Sequence, residues 1–131
     1  METNHRSHYR FFMVFGAVLG LLAVMLGAVG SHAFKNFLLE AGRVETYETA
    51  VKYHFYHSIV LFLCGIAGFH LKNKSLFVAG YALFVGVLLF SGSLYVLCFT
   101  GFSWLRHVTP FGGVSIMIGW ASMGVAAYRY K

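Results

Sequence analysis

The run "FFMVFGAVLGLLAVMLGAVG", residues 11–30, carries no charged side chain. A bilayer core about 30 Å thick takes about 20 apolar residues in a helix that rises 1.5 Å per residue, so this run is long enough to cross. Three more runs have similar length, at about 53–70, 75–99 and 111–130. The chain is therefore expected to be all-α, with four transmembrane helices in one bundle and residues 1–131 forming a single membrane domain. Composition agrees: only 11% of residues are charged and 59% are hydrophobic, whereas soluble domains carry about 25% charged residues. A net charge of +6 would suggest nucleic acid in a soluble protein. Here the basic residues flank apolar runs and no basic groove with interleaved aromatics appears, so nucleic acid is excluded as a partner and membrane lipid is expected.

The first run has a second reading. Arg6 and Arg10, an apolar stretch, and Ser31 and Ala33 as a small pair resemble a signal peptide with its cleavage site. The apolar core is longer than such a segment usually has, which favours a true span. Pro110 is expected to open the fourth span, since its missing N–H is not needed at a helix start. Arg6, Arg10, Lys72, Lys74, Arg129 and Lys131 fall on one side of the resulting topology, and Lys35, Arg43, Lys52 and Arg106 on the other. The acidic residues Glu40, Glu45 and Glu48 share that second side. The positive-inside rule then places both termini in the cytoplasm. Residues 35–52 form the only sizeable extramembrane segment, and in "GRVETYETAVKYH", which runs from it into the second span, Val44, Tyr47, Val51 and His54 recur at helical spacing. This predicts an amphipathic connector lying on the outer surface and running into the second span.

Small residues draw two stripes. Gly16, Gly20, Ala23, Gly27 and Gly30 share one face of the first span, and Gly112, Ser115, Gly119, Ser122 and Ala126 one face of the fourth. Helices in lipid associate by close packing, so each stripe is a candidate interface. The first and fourth spans are expected to be neighbours, with Gly20 or Gly27 close to Gly119 or Ser115.

The topology also gathers polar groups on the outer side: His32 after the first span, His57 early in the second, Ser91, Ser93 and Tyr95 late in the third, and Thr109 before the fourth. Polar side chains in hydrocarbon need partners. These six are expected to converge, either as a packed network or as a pocket for a lipid headgroup or small molecule, with His57 bonded to Ser91, Tyr95 or the His32 region. His-x-x-His at 54 and 57, with His32, is a weak metal pattern because zinc sites want about four ligands. A haem or divalent metal held by His32 and His57 is one alternative function, and a passive small-solute channel is another. The 18% aromatic content argues against an open pore. No cofactor is expected. Hydrolysis fits poorly, since the chain has no Asp to orient a base, and ion-coupled transport fits poorly, since no acidic or basic residue sits in the interior of the spans. Cys64 and Cys98 are placed about 15 Å apart along the membrane normal at 1.5 Å per residue, too far for a disulfide.

The motifs "GAVGSHAF", "TAVKYHFYHS", "LLFSGSLYVL" and "VTPFGGVSIMIGW" together resemble the YgdD-like inner-membrane family, domain of unknown function 423, which also includes the animal transmembrane protein 256. The likeness runs through about 27–126. It implies a small four-span protein of the bacterial inner membrane without an assigned activity. It also implies that His57 and His32 are the histidines to follow, because proteins of the family show glutamine where this chain has His54. His54 is accordingly expected to be an interfacial residue. The reading is a non-enzymatic binding or accessory protein, alone, as a homo-oligomer or in a larger membrane complex.

Overall fold

A computed structural model describes residues 2–130, with side chains described from residue 5 onward. Lys131, counted above among the cytoplasmic cations, and the Glu2 side chain lie outside that description. The elements are α1 (Glu2–Ser31), α2 (Lys35–Glu40), α3 (Val44–Leu71), α4 (Lys74–Thr100) and α5 (Leu105–Tyr128). No strand occurs among the described residues, and α1, α3, α4 and α5 are each long and apolar enough to cross a membrane. The protein is an all-α membrane protein with four candidate spans.

Two boundaries differ from the sequence reading for local reasons. The 35–52 connector is divided, with α2 a short separate helix and Gly42, at φ 65°, making the turn after it. The amphipathic residues from Val44 onward are the first turns of α3 itself. Their apolar face packs inward, with Tyr47 and His54 buried and Val44 and Val51 half-buried. Pro110 does not open the fourth span. It lies inside α5, which begins at Leu105. As the sixth residue of the helix it supplies no N–H to the ladder there, and α5 continues through it.

The helix order across the bundle is α1, α3, α4, α5. The first and fourth spans are not substantial neighbours, contrary to expectation. Each stripe instead meets the helix next to it in the chain's up-and-down path. A Cβ on Gly16 would lie 2.7 Å from the Phe62 backbone nitrogen, while Gly20 faces Ser58, Gly27 faces Val51 and Gly30 faces the Tyr47 ring. On α5, Gly112 meets the Phe90 backbone and Gly119 lies against Leu83, where a Cβ would be 2.6 Å from Cγ. Ser115 Oγ donates to the Ala82 carbonyl at 2.7 Å. The pairs step in opposite directions along both helices, which is the signature of antiparallel seams. Reciprocal glycines complete them, Gly65 and Gly68 of α3 against α1 and Gly86 of α4 against α5. Pairs of adjacent antiparallel helices zip where the chain turns back tightly, so sequence neighbours win over distant spans.

The parallel helices α1 and α4 meet only toward the N-terminal end of the bundle. There the Phe12 ring fills the space beside Gly80, and His8 Nδ1 pairs with the Tyr81 hydroxyl at 2.6 Å. The main core lies at that end, built from Tyr9, Phe12, Leu61, Cys64, Leu76 and Leu83. A smaller cluster of Leu38, Tyr47 and Cys98 sits under α2 at the other end. Cys64 faces the Leu76 carbonyl and Cys98 faces Arg43. Leu76 and Cys98 lie near opposite ends of α4, so the free thiols are about 33 Å apart at 1.5 Å per residue, roughly twice the separation expected from sequence.

Gly16→Ala and Gly112→Ala should each cost about 1–3 kcal/mol, because the added methyl meets backbone atoms that cannot swing aside. Thermal melts in detergent would read the loss. Gly124→Ala, with nothing within 4 Å of the new Cβ, should be neutral or gain up to about 1 kcal/mol of helix propensity. Equal losses at all three positions would show that glycine matters there for a reason other than close approach.

Candidate functional site

The six polar residues expected to converge are distributed by helical periodicity. Successive residues turn by 100°, so Ser91 and Tyr95 share a face of α4 while Ser93 points away from it. Ser91 Oγ donates to the Ala50 carbonyl of α3 at 2.8 Å. Tyr95 pairs through its hydroxyl with His54 Nδ1 at 3.0 Å, also on α3. Ser93 turns to α5, where its hydroxyl pairs with Thr109 Oγ1 at 2.7 Å. Each of these hydroxyls also has a backbone carbonyl of its own helix, Phe90 for Ser93 and Leu105 for Thr109. These groups form separate interhelical ties, and none of them bonds to His57.

His57 is buried but lies near the middle of α3, level with Gly20 and Ser58, and not in the outer half. Its Nδ1 lies 2.7 Å from the Tyr53 carbonyl, and its Nε2 lies 3.2 Å from Trp120 Nε1 of α5. A carbonyl only accepts and an indole N–H only donates. The ring is thereby fixed as the neutral Nδ1–H tautomer, giving a proton to Tyr53 and accepting one from Trp120. The partner is neither Ser91, Tyr95 nor the His32 region. Trp120 itself is half exposed on the bundle surface at mid-depth, where an indole N–H finds no water, and His57 supplies the acceptor it needs.

His32 lies in the turn after α1 and is exposed. It stands about 18 Å along α1 from the level of His57, taking twelve residues at 1.5 Å each. The two histidines do not share a ligand, and both ring nitrogens of His57 are already engaged. Among the described residues no group of three His, Cys, Asp or Glu is placed to hold a metal ion, so the set His32, His54 and His57 is not assembled.

His54, expected at the interface, is instead 4% exposed between α3 and α4. His54 and His57 are both inward-facing residues of α3. Among the described residues the buried His54 Nε2 atom has no hydrogen-bond partner. Tyr47 completes this layer, donating to the Leu26 carbonyl at 2.6 Å and meeting the Tyr95 ring edge-on at 5.4 Å.

The concave site at this end lies one helix over. A recess of about 360 Å3 opens between α1, α2 and α3, with Gly27, Gly30 and Ser31 on one side and Tyr47, Glu48, Val51 and Lys52 on the other. Lys35 and Leu38 of α2, with Val44, complete its lining. Gly27 and Gly30 pack against Val51 and Tyr47 along its floor, and Lys35 and Leu38 of α2 close one side. Arg43 braces the same end, donating from Nη1 to the Cys98 carbonyl at 2.8 Å at the C-terminus of α4. A cation there also complements the negative end of the helix dipole. Neither Trp120 nor Arg43 stood out in the sequence. The one available signal was the position of Trp120, mid-span and far from the interfaces where tryptophan is enriched.

The family described as "Protein of unknown function (DUF423)" matches residues 26–113. The UPF0382 membrane protein YwdK of Bacillus subtilis is 39% identical over 122 residues, covering 92% of this chain and 98% of its own length. The UPF0382 inner membrane protein YgdD of Escherichia coli K12 is 35% identical over 124 residues, covering 93% of this chain and 92% of its own. A Staphylococcus aureus relative, UPF0382 membrane protein SAB0533, is 34% identical over 122 residues, with shares of 92% and 98%. No solved structure matches.

The hydrogen-bond assignments are open to a double-mutant cycle in detergent. His57→Ala and Trp120→Phe should couple by about 0.6–2 kcal/mol, the range for interhelical hydrogen bonds in membranes. His57→Ala and Tyr95→Phe should add without coupling. Coupling of His57 to Tyr95 in place of Trp120 would mean the ring faces the other helix.

Proposed function

Because the chain belongs to the DUF423 family of membrane proteins, we propose that it is a non-enzymatic accessory protein of the bacterial inner membrane whose outer recess holds the headgroup of a zwitterionic phospholipid. The observation that carries this reading is the mixed charge of the recess: Lys35 and Lys52 line it together with Glu48. Two ammonium groups suit a phosphodiester, and one carboxylate suits the primary amine of a phosphoethanolamine group. Leu38, Val44 and Val51 give an apolar wall for the glycerol and first methylenes. The volume of about 360 Å3 falls within the roughly 300–1,000 Å3 typical of ligand pockets.

Location and orientation belong to the same proposal. The inner membrane comes from the printed name of the Escherichia coli relative. Cytoplasmic termini follow from the cations at the N-terminal end, Arg6, Arg10, Lys72 and Lys74. Phe102 and Trp104 are exposed at the opposite end, where an aromatic belt is favoured. No step in this function needs a cofactor.

Short-chain phosphatidylethanolamine titrated into the detergent-purified protein should bind saturably by calorimetry. Lys52→Gln should weaken binding about fivefold, the equivalent of roughly 1 kcal/mol per cation beside a phosphate. Glu48→Gln should erase the preference over phosphatidylcholine, whose quaternary amine offers no N–H. Equal affinity for both lipids in the unmodified protein would contradict the reading. A Lys52→Cys variant should also react in intact cells with a membrane-impermeant maleimide, and protection of that thiol until the cells are lysed would reverse the orientation.

A further inference from the structure

Arg43 stands at the corner between α2 and α3, next to the outer recess but outside its lining. We propose that it is the positioning residue of that recess, a clasp that locks the corner onto the end of α4 and so sets the spacing of the charged groups inside. Its part in binding rests on the reading of the recess as a headgroup site; its part in shaping the recess does not.

Contacts to three helices meet in this residue. The guanidinium reaches α4, where Nη1 donates to the Cys98 carbonyl at 2.8 Å. That carbonyl belongs to the last turn of α4, whose C=O groups lack partners further along the helix. A bond from an ionised donor to such a group is shorter and stronger than a neutral one. The end of α4 is shaped to receive it. Gly101 turns there at φ 73°, and a Cβ on it would lie 2.8 Å from Arg43 Nη2. The Cys98 thiol sits 3.9 Å from the Arg43 carbonyl, so side chain and backbone both meet this residue. The Arg43 backbone in turn holds two walls of the recess. Its N–H donates to the Leu38 carbonyl of α2 at 2.9 Å, and its carbonyl accepts the Tyr47 N–H of α3 at 3.0 Å. Leu38 and Tyr47 are both buried and both line the recess.

The charged groups of the recess ride on these same two helices, Lys35 on α2 and Glu48 and Lys52 on α3. Glu48 and Lys52 are four residues apart on one helix, so their spacing is fixed locally. The distance from Lys35 to that pair depends on how α2 is set against α3. Stacking of Phe37 on Phe99 draws α2 toward α4 with little direction, whereas the guanidinium bond specifies one position. A zwitterionic headgroup must meet cation and carboxylate at once, so it is sensitive to that setting.

Double electron–electron resonance on the full chain in detergent reads the corner without lipid. Spin labels on Leu39→Cys of α2 and Leu63→Cys of α3, both exposed and outside the recess, report how α2 sits on α3. Cys64→Ala/Cys98→Ala removes the native thiols and keeps the carbonyl of residue 98. The arginine protein should give one narrow distance and Arg43→Gln a broad one. Arg43→Lys, which keeps a charged donor for the same carbonyl, should restore the narrow distance. Calorimetric titration of short-chain phosphatidylethanolamine into unlabelled protein then reads binding. Arg43→Gln should raise Kd about tenfold at unchanged stoichiometry, as for a site that holds its binding geometry about a tenth of the time. A narrow distance in Arg43→Gln would overturn the proposal. So would a fall in stoichiometry at unchanged Kd, which is what a merely destabilised fold gives. If the unmodified protein binds no phosphatidylethanolamine, the headgroup reading fails and the distances alone decide whether Arg43 sets the recess.

Discussion

Lipid tails are as apolar as leucine, so the helices of this protein gain nothing by leaving lipid for one another except what close packing and hydrogen bonds provide. That constraint makes backbone-to-backbone approach at glycine the interaction on which the rest depends. Gly16 against Phe62, Gly112 against Phe90 and Gly119 against Leu83 bring α1 onto α3 and α5 onto α4. The α3–α4 pair then joins the two halves through Ser91 and Ala50 and through Tyr95 and His54. The outer faces of α1 and α5 stay apolar and exposed, with Val18, Leu21 and Met25 on one and Val114, Met117 and Ile118 on the other. Those faces suit acyl chains. Large side chains that elsewhere build a core are here the lipid-facing coat.

Close approach also decides where polar groups and cavities fall. At mid-depth the seams are tight, and the polar atoms present are consumed in pairs: His57 takes the Trp120 N–H, and Ser115 gives to Ala82. Each bond is worth on the order of 0.6–2 kcal/mol, so these residues hold the bundle and need no further role. Two recesses open toward the two ends, where charged side chains line them. The same physics that packs the centre leaves one recess toward each end, the outer one lined by Glu48 with Lys35 and Lys52.

The spans and the all-α architecture were legible in the sequence because they depend on local composition and length alone. The stripes were legible for the same reason, since periodicity along one helix needs no knowledge of its neighbours. Their pairing was not legible: a glycine face is nearly featureless, and nothing in Gly20 or Gly119 names the helix it meets. The polar cluster failed for a geometric reason. Depth along the membrane was inferred, but rotation about α4 sends Ser93 to α5 and its neighbours to α3. His54 shows the limit of resemblance, because its departure from the family pattern said nothing of its burial between α3 and α4. The recess needed α2 to lie beside the end of α1, an arrangement set by the turns on either side of α2 and invisible to hydropathy.

Disulfide trapping tests the helix order most directly. In a Cys64→Ala/Cys98→Ala background, Gly27→Cys paired with Val51→Cys places the new Cβ of residue 27 beside the residue 51 side chain, 3.3 Å from the present Val51 Cγ1. A membrane-permeant oxidant should close that bridge rapidly, since bridged Cβ atoms lie about 3.5–4.5 Å apart. Gly20→Cys paired with Gly119→Cys should stay reduced within one chain under the same conditions. Rapid bridging of residues 20 and 119, with none between 27 and 51, would contradict the account and put the two edge helices side by side.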